Sequence, residues 1–240
     1  MSPAIVVKRS GVKLPHDRLE RSLSEEGSQV LAGLDEVGRG AWAGPVSVGV
    51  VIPPHRKRPP KGLRDSKLLT EDRREELYPL VTEWCLGWAV GHAGPDECDS
   101  LGMTAALRLA ARRALAGLAA RPQVVLMDGN FDYVSEPVPA EADNSDSDSA
   151  TASDSAYPPS PAVHTVIKGD LCCVSIAAAS IVAKVTRDRM MRAMSESFPS
   201  FDFHQNKGYP SPVHRTALAG FGLTSVHRRS WSYVEELAFR

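Results

Sequence analysis

Two acids stand side by side at the end of an apolar run, within residues 34–40, whose sequence is LDEVGRG. A second apolar run at 46–52 follows, so a strand, a tight polar turn and another strand are predicted. Side chains alternate between the faces of a regular strand, so Asp35 and Glu36 can converge on one ligand only if the strand ends or bends there. The two glycines permit a bend and a close approach of backbone to ligand. A surface turn that holds two acids by chance is the alternative.

The length and composition of the chain limit the classes of protein to consider. Its 240 residues suffice for one sizeable α/β domain with one core. No apolar run approaches the ~20 residues of a membrane span, and the N-terminus lacks a signal-peptide pattern. We therefore expect a cytoplasmic protein without a membrane partner, and we take it to be a monomer. The four cysteines show no Cys-x-x-Cys spacing, so reduced thiols are expected rather than a zinc site.

Charge is distributed unevenly along the chain. Residues 122–167 contain no Lys or Arg, and residues 131–162 within them hold seven acids. Because the net charge is −1, the rest of the chain carries +6, which is compatible with a polyanionic partner. The segment 134–162 is rich in Ser, Asp, Ala and Pro and cannot offset its ordering entropy by apolar burial, so disorder is predicted. The expected organisation is a lead-in at 1–28 and one domain at 29–240 that this acidic segment interrupts.

Hydrophobic periodicity predicts alternating helices and strands after the first two strands. The expected elements are a short helix at 18–23, a helix capped by Thr70, a strand at 86–92, a helix from Asp99 or Ser100 to Pro122, strands at 124–127 and 163–167, and helices at about 175–194 and 212–219. In the helix that Thr70 caps, the spacing of Leu77, Leu80 and Val81 predicts one buried face.

Four acids lie beside a glycine or at the end of an apolar run: Asp35, Glu36, Asp128 and Asp170. If they converge, their charges repel one another unless a cation lies between them. Hard oxygen ligands favour Mg²⁺ or Mn²⁺, and two such ions ~4 Å apart can stabilise the attacking and leaving oxygens of a phosphodiester displacement. The residues alone do not establish that the four acids meet. Two other acids, Asp65 and Asp188, are expected to act in local capping or ion pairing.

Several short motifs follow one another in a fixed order: DEVGRG with AGP within 35–45, DSK at 65–67, MDGN at 127–130, KGD at 168–170, AAASIVAKVTRD at 177–188 and KGYP at 207–210. This ordered set resembles that of bacterial ribonuclease HII, the type 2 ribonuclease H family, over roughly residues 30–230. The resemblance implies an α/β, ribonuclease H-like fold, a mixed sheet flanked by helices with a C-terminal helical segment. The domain at 29–240 is then the catalytic domain.

The resemblance also implies an activity. The family hydrolyses the RNA strand of RNA–DNA hybrids and nicks duplex DNA on the 5′ side of an embedded ribonucleotide, leaving a 3′-hydroxyl and a 5′-phosphate. Those two duplexes are the expected partners. Two Mg²⁺ or Mn²⁺ ions in the substrate complex would activate the attacking water and stabilise the departing 3′ oxygen. The metal-binding catalytic carboxylates implied are Asp35, Glu36, Asp128 and Asp170.

Substrate contacts are carried over in the same way. The resemblance assigns recognition of one 2′-hydroxyl, and packing on the neighbouring deoxyribose, to Gly38, Arg39, Gly40 and Tyr209. Candidate phosphate contacts are Lys67, Lys184 and Arg187. For Lys184 and Arg187, the alternative is an exposed helix end held by ion pairs, such as Arg187 with Asp188. His214 could face the site, but a lone histidine is more often structural.

Three features depart from the family pattern. The acidic segment 134–162 occupies a connection that is usually short, Trp42 is bulky where a smaller residue is expected, and Asn206 stands where histidine is common. The segment is either a plain linker or a source of negative charge that competes with nucleic acid and lowers non-specific affinity at low salt.

Two other identities are considered. A type 3 ribonuclease H shares the catalytic fold, but it has a substantial N-terminal substrate-binding domain, for which the stretch before Val30 is too short, and it lacks the matching glycine-arginine-glycine and tyrosine pair. A non-catalytic nucleic-acid-binding module that keeps the fold is the second alternative. The presence of all four acids argues against it.

Overall fold

The computed structural model of the chain describes residues 5–6, 14–24, 29–135 and 161–234. Most of the acidic segment, for which disorder is predicted, and parts of the lead-in lie outside the described residues. Within the described part of the chain, none of the helices has both the length and the apolar character that crossing a membrane requires.

The elements alternate between strands and helices, as the periodicity predicts. In chain order they are β1 (Ile5–Val6), α1 (Arg18–Leu23), β2 (Leu31–Val37), β3 (Val46–Ile52), α2 (Glu71–Trp84), β4 (Gly87–Ala93), α3 (Pro95–Leu101), α4 (Met103–Ala116), β5 (Val124–Asp128), β6 (Ala162–Ile167), α5 (Val174–Ser197), α6 (Phe203–Asn206) and α7 (Pro212–Phe221). Short 3₁₀ helices lie at Ser66–Leu68, Gly169–Leu171 and Pro199–Phe201.

Within the described residues, six strands form one mixed sheet in the order β1-β6-β5-β2-β3-β4. Strands β2, β3 and β4 are antiparallel neighbours, whereas β2, β5, β6 and β1 run parallel. In the parallel half, Leu34 pairs with Met127 and Asp128 pairs with Val166. The carboxyl ends of β2, β5 and β6 therefore emerge at the same edge of the sheet, which is where ligand sites in α/β proteins form.

Helices cover both faces of this sheet at close range. Helix α5 lies on β2 and β3, where a Cβ on Gly49 would be 2.6 Å from the Ala179 carbonyl oxygen. Helix α4 lies on the other face, where a Cβ on Gly91 would collide with the Ala110 carbonyl oxygen. The small residues of both helices thus allow backbone-to-backbone packing, and the buried first half of α5 agrees with its alanine-rich sequence.

Three details differ from the sequence prediction. The single helix expected from residue 99 is two helices, because Gly102 adopts φ 77° between α3 and α4. Leu80 is 46% exposed, since α2 buries only Leu77, Val81 and Trp84. The lead-in contributes an edge strand, β1, in addition to the predicted helix α1.

The C-terminal helical segment packs on the turn that follows β2. An apolar cluster in this contact contains Ala43, Met191, Phe203 and Tyr233. Backbone pairing adds to this contact, since Ala43 and His227 form an antiparallel bridge and the Gly44 amide donates to the Val226 carbonyl at 2.8 Å. The C-terminal helical segment is therefore part of the same edge as the strand termini.

Candidate active site

Three segments bring carboxylates to the edge where the parallel strands end. Asp35 lies on β2 and is only 3% exposed, Asp128 is the last residue of β5, and Asp170 lies in the 3₁₀ helix after β6 and is 5% exposed. The Gly169 amide donates to Oδ1 of Asp128 at 2.7 Å, which ties the end of β5 to the turn that carries Asp170. Residues far apart in sequence are thus neighbours in the fold.

The charges of these carboxylates act on one another. Burial, and then the charges of Glu36 and Asp128, raise the pKa of Asp35 well above its usual range. Burial also raises the pKa of Glu36, with the charge of Asp128 adding to it. For Asp170, burial and the charges of Asp128 and Asp65 raise the pKa to about 6. The site therefore stores electrostatic repulsion that a cation would relieve.

Lys67 provides a positive charge beside the cluster. Its Nζ lies 3.5 Å from Oδ2 of Asp170, and its side chain is 66% exposed. Burial opposes ionisation of Lys67, but the charges of Asp35, Asp65 and Asp170 together raise its pKa. Asp65 acts in local capping as predicted, because its Oδ1 accepts a 2.9 Å bond from the Lys67 amide. Asp65, Lys67 and Asp170 line an open depression together with Asp128.

Tyr133 holds Glu36 in place. Its hydroxyl donates to Oε2 of Glu36 at 3.2 Å, and the ring is buried in the core beneath α4. Burial and the charges of Glu36 and Asp35 raise the pKa of Tyr133 well above its usual range, so the phenol stays protonated as a donor. Tyr133 lies in none of the sequence motifs. Its only signal was an aromatic residue shortly after Asp128.

The donor set fits a hard divalent cation. Carboxylate oxygens are the ligands that Mg²⁺ and Mn²⁺ prefer, and burial, followed by the charges of neighbouring carboxylates, raises the pKa of Asp35, Glu36 and Asp170. Among the described residues, however, no three His, Cys, Asp or Glu side chains are already arranged to hold a metal ion. A cation would therefore have to draw these carboxylates together.

Two buried arginines fix the turn between β2 and β3, residues 38–45. Arg187 donates from Nε to the Pro45 carbonyl at 2.8 Å and from Nη2 to the Ala43 carbonyl at 3.1 Å. Its Nη1 donates to the Lys207 carbonyl at 2.8 Å. Arg228 likewise donates to three carbonyls of this turn.

The position of Arg187 corrects the prediction that it contacts phosphate. The side chain is 0% exposed, and all three of its donating nitrogens point to backbone carbonyls, so none faces a ligand. The exposed helix end considered as the alternative is not found either. Helix α5 passes under the turn, and the guanidinium fills the space there.

The candidate sugar-contacting residues lie at the open side of this turn. The Gly38 amide donates to the Tyr209 hydroxyl at 3.1 Å, which connects the two motifs that the resemblance pairs. Gly38 is buried, whereas Arg39 and Gly40 are exposed. A Cβ on Gly40 would have the Tyr209 ring as its nearest neighbour, at 3.9 Å. The protein therefore leaves open space beside the Cα atom of Gly40.

Gly38 differs from Gly40, because its backbone conformation and its close neighbours leave no room for a side chain. It has φ 85°, which other residues rarely adopt. A Cβ there would collide with Arg187 Nε and would lie 2.8 Å from the Pro45 carbonyl oxygen. Of the two glycines, Gly38 serves the fold, and Gly40 is the one whose missing side chain leaves space for a ligand.

Lys184 and Asp188 form an ion pair, with Nζ 2.6 Å from Oδ1. Asp188 therefore has the ion-pairing role predicted for it. The same contact supports the alternative given for Lys184, a helix residue held by an ion pair, although the partner expected for Asp188 was Arg187.

His214 and the two residues that depart from the family pattern, Trp42 and Asn206, make contacts within the protein. His214 is fully buried, and its ring nitrogens lie 3.0 Å from the Tyr209 carbonyl oxygen and 3.0 Å from His227 Nε2. Trp42 stacks on Tyr233 with ring centroids 4.1 Å apart. Asn206 accepts a bond from the Gly208 amide at 2.8 Å and so shapes the turn before Tyr209.

Sequence comparisons agree on one family. The family model for ribonuclease HII matches residues 32–234. The ribonuclease HII of Streptomyces griseus subsp. griseus is 50% identical over 227 residues, which cover 93% of this chain and 86% of that protein. The ribonuclease HII of Paracoccus denitrificans is 42% identical over 223 residues, which cover 93% of this chain and 94% of that protein.

Solved structures show the same fold. The ribonuclease H2 from Pyrococcus horikoshii OT3 matches with a TM-score of 0.64 and 24% identity, covering 88% of this chain and 97% of that chain. The ribonuclease HII in the PCNA complex from Archaeoglobus fulgidus matches with a TM-score of 0.63 and 25% identity, covering 86% and 96%. The Bst-RNase HIII bound to Mn²⁺ matches with a TM-score of 0.67 and 20% identity, covering 96% and 76%.

Proposed function

The chain belongs to the ribonuclease HII family and is a ribonuclease H enzyme, a hydrolase; on this premise we propose that it hydrolyses the RNA strand of RNA–DNA hybrids and nicks duplex DNA 5′ of an embedded ribonucleotide. The products would carry a 3′-hydroxyl and a 5′-phosphate. The observation that carries the proposal is that Asp35, Asp128 and Asp170 share one sheet edge next to an exposed glycine turn. We also expect the enzyme to act as a cytoplasmic monomer.

The carboxylates of Asp35, Glu36, Asp128 and Asp170 would hold Mg²⁺ or Mn²⁺, with two ions in the substrate complex. Bound there, the metal supplies a nucleophilic water at neutral pH and stabilises charge on the attacking and leaving oxygens. The chain's own contribution is to hold four oxygen donors at one edge despite their repulsion. The Tyr133 hydroxyl keeps Glu36 turned into the cluster.

Selection of RNA would depend on the turn at residues 38–40. A single ribonucleotide differs from its neighbours only by a 2′-hydroxyl, so a site that selects it must approach the sugar closely. Gly40 is exposed and leaves space for that approach, and the ring of Tyr209 lies beside it. Arg39 is exposed next to both and carries a positive charge toward the phosphate backbone.

Among the three proposed phosphate contacts, Lys67 is the one that the site favours. Its ammonium lies at the edge of the acidic cluster and is largely exposed, so it can contact both a carboxylate and a scissile phosphate. Lys184 is already paired with Asp188, and Arg187 is buried, so neither is retained. The positive balance of the chain outside the acidic segment favours a duplex as the partner.

The proposal is tested by mapping product ends on three duplexes of one sequence: an RNA–DNA hybrid, a DNA duplex with one ribonucleotide and an all-DNA duplex. We expect cleavage of the first two in Mg²⁺ or Mn²⁺, none after chelation, and 3′-hydroxyl and 5′-phosphate ends. Cleavage of the all-DNA duplex, or 2′,3′-cyclic phosphate ends, would contradict the proposal. Binding to the duplexes without any cleavage would favour the non-catalytic module instead.

A further inference from the structure

Arg228, which is 0% exposed, lies on the inner side of the turn at residues 38–45. Its Nη2 donates to the Gly38 carbonyl at 2.7 Å, and its Nη1 donates to the Arg39 carbonyl at 3.0 Å. Nε donates to the Gly44 carbonyl at 3.1 Å. The planar guanidinium thus bridges the two ends of the turn through a fixed arrangement of donors.

The backbone of Arg228 is itself held against the turn. Its amide donates to the Trp42 carbonyl at 2.8 Å, and the Tyr233 hydroxyl lies 2.9 Å from the Arg228 carbonyl oxygen. The guanidinium also lies over the Trp231 ring, with Cζ 5.0 Å from the ring centroid. These contacts give the side chain one orientation, so the direction of its three donors is determined.

The two inner carbonyls determine where two amides point. In a trans peptide, the C=O and N–H of one plane point in opposite directions. Because Arg228 binds the carbonyls of Gly38 and Arg39, the N–H groups of Arg39 and Gly40 point away from it, to the exposed side. Within the described part of the chain, neither of these amides donates a backbone or side-chain hydrogen bond.

We propose that Arg228 is a positioning residue for ribonucleotide recognition, which turns the amides of Arg39 and Gly40 toward the substrate sugar. The inference rests on the proposed function, because it assumes that the turn contacts a 2′-hydroxyl. A buried charge is a costly way to gain stability alone, since an apolar side chain of similar volume can replace it. What the guanidinium provides here is the orientation of two peptide planes.

The matched control is Asp99, which anchors the same C-terminal segment without touching the turn. Its carboxylate accepts bonds from the amides of Arg229 at 2.7 Å and Ser230 at 2.9 Å. Asp99→Ala loosens that attachment but leaves the three donors of Arg228 in place. An effect that arises only from docking of the segment would appear in Asp99→Ala, whereas an orienting effect would not.

The test is the ratio of dissociation constants for an all-DNA duplex and for the same duplex with one ribonucleotide. It is measured in the Asp128→Asn background with Mg²⁺, so that cleavage does not interfere. Partial unfolding lowers the active fraction for both duplexes equally and leaves the ratio unchanged. We expect Arg228→Lys to reduce the ratio at least 5-fold and Asp99→Ala to change it less than 2-fold.

Amide hydrogen exchange of the Asp128→Asn protein, with Arg228 intact, gives a second measurement that needs no variant of the buried arginine. The amides of Arg39 and Gly40 should exchange more slowly with the ribonucleotide duplex than with the all-DNA duplex. A ratio that is unchanged in Arg228→Lys, or equal exchange with both duplexes, would overturn the inference alone. A parent protein that binds both duplexes equally would overturn the proposed function and the inference together.

Discussion

The carboxylate cluster and the turn at residues 38–45 lie side by side at one sheet edge, but opposite principles hold them. The carboxylates are positioned by the register of parallel strands, and their charges repel one another. The turn carries little charge of its own and is fixed by five hydrogen bonds that Arg187 and Arg228 donate to its carbonyls. Within one candidate site, the carboxylate cluster, for which catalysis is proposed, is destabilising, and the turn, for which substrate recognition is proposed, is held rigidly.

This difference has a physical reason. Metal ligands must keep oxygens free of other partners, so the fold can give them few hydrogen bonds and accepts a loss of stability there. A loop that distinguishes one hydroxyl must be held to within a fraction of an ångström, so its backbone is bound from behind. Substitutions in the two regions should therefore change activity and stability in different combinations.

The largest expected effect comes from removing charge at the cluster. Asp35→Asn keeps the oxygen that accepts the 2.9 Å bond from the Glu36 amide but removes a buried repelling charge. We expect cleavage to fall about 10³-fold, which corresponds to ~4 kcal/mol of transition-state stabilisation. The free energy of unfolding without metal should rise by about 1 kcal/mol.

Single-turnover cleavage and urea unfolding check this prediction, with Glu83→Gln as an exposed acid control on α2. The account requires activity and stability to move in opposite directions in Asp35→Asn only. A loss of stability in that variant would show that the cluster is not repulsive.

Substitution of the two glycines in the turn should have different effects, one mainly on stability and the other mainly on activity. Gly38→Ala places a Cβ against Arg187 at φ 85°, and we expect a loss of about 3–4 kcal/mol in the free energy of unfolding. Gly40→Ala meets only the Tyr209 ring at 3.9 Å, so it should cost less than about 0.5 kcal/mol. We still expect about a 10-fold lower kcat/KM on the single-ribonucleotide duplex for Gly40→Ala.

Chemical denaturation and steady-state kinetics of the same two proteins provide the measurement. Equal stability losses would mean that both glycines serve the fold. Unchanged kinetics in Gly40→Ala would mean that the substrate does not approach there.

The C-terminal helical segment, which packs on the turn, should make the free energy of unfolding sensitive to acid. The rings of His214 and His227 are buried with their Nε2 atoms 3.0 Å apart, and Thr224 Oγ1 lies 2.7 Å from His227 Nδ1. Burial, then the charges of His214 and Arg229, lower the pKa of His227 to about 4. Protonation therefore favours the unfolded chain, in which the pKa is near 6.5.

Because the folded pKa is depressed, the contribution of His227 is fully present above pH 6.5. It should be lost as the pH falls toward 4, by at most about 3 kcal/mol. Unfolding free energies measured between pH 4 and 7 should show this slope in the wild-type protein. His227→Gln should flatten it. An equally steep slope in that variant would assign the acid sensitivity to other groups.

The smallest predicted effect is at Tyr133, which connects the cluster to the core. Tyr133→Phe removes the 3.2 Å bond to Glu36 but keeps the buried ring. We expect kcat to fall about 5-fold, with KM nearly unchanged, because only the orientation of one carboxylate is relaxed. Steady-state kinetics with the single-ribonucleotide duplex measure it. A selective rise in KM would instead place Tyr133 in substrate binding.

The contrast between the carboxylate cluster and the turn also explains which parts of the site could be predicted from the sequence. Acids at the ends of apolar strands have a visible pattern, so Asp35, Asp128 and Asp170 could be grouped before the fold was known. Parallel pairing of β2 with β5 and of β5 with β6 then brings them to one edge. The ordered motifs likewise predicted the mixed sheet with its flanking helices.

The anchoring residues could not be found in this way. Arg187 and Arg228 bind backbone carbonyls of residues more than 100 positions away. Because every residue has a backbone carbonyl, no residue type in the sequence identifies these acceptors. The resemblance therefore offers Arg187, a basic residue in one of the shared motifs, as a phosphate contact, and the buried position of its side chain shows that this is wrong. Similarly, the sequence places the start of one helix at Asp99 or Ser100, before Gly102, so the break between α3 and α4 was not predicted.

The most direct test is single-turnover nicking of a DNA duplex with one ribonucleotide in Mn²⁺, compared between the wild-type chain and Asp128→Asn, with binding measured in parallel. The account predicts a nick on the 5′ side of the ribonucleotide by the wild-type chain. Asp128→Asn should bind the duplex within about 3-fold of wild type but cleave it at least about 10³-fold more slowly. Nearly equal cleavage by both proteins would contradict the central role of the carboxylate cluster.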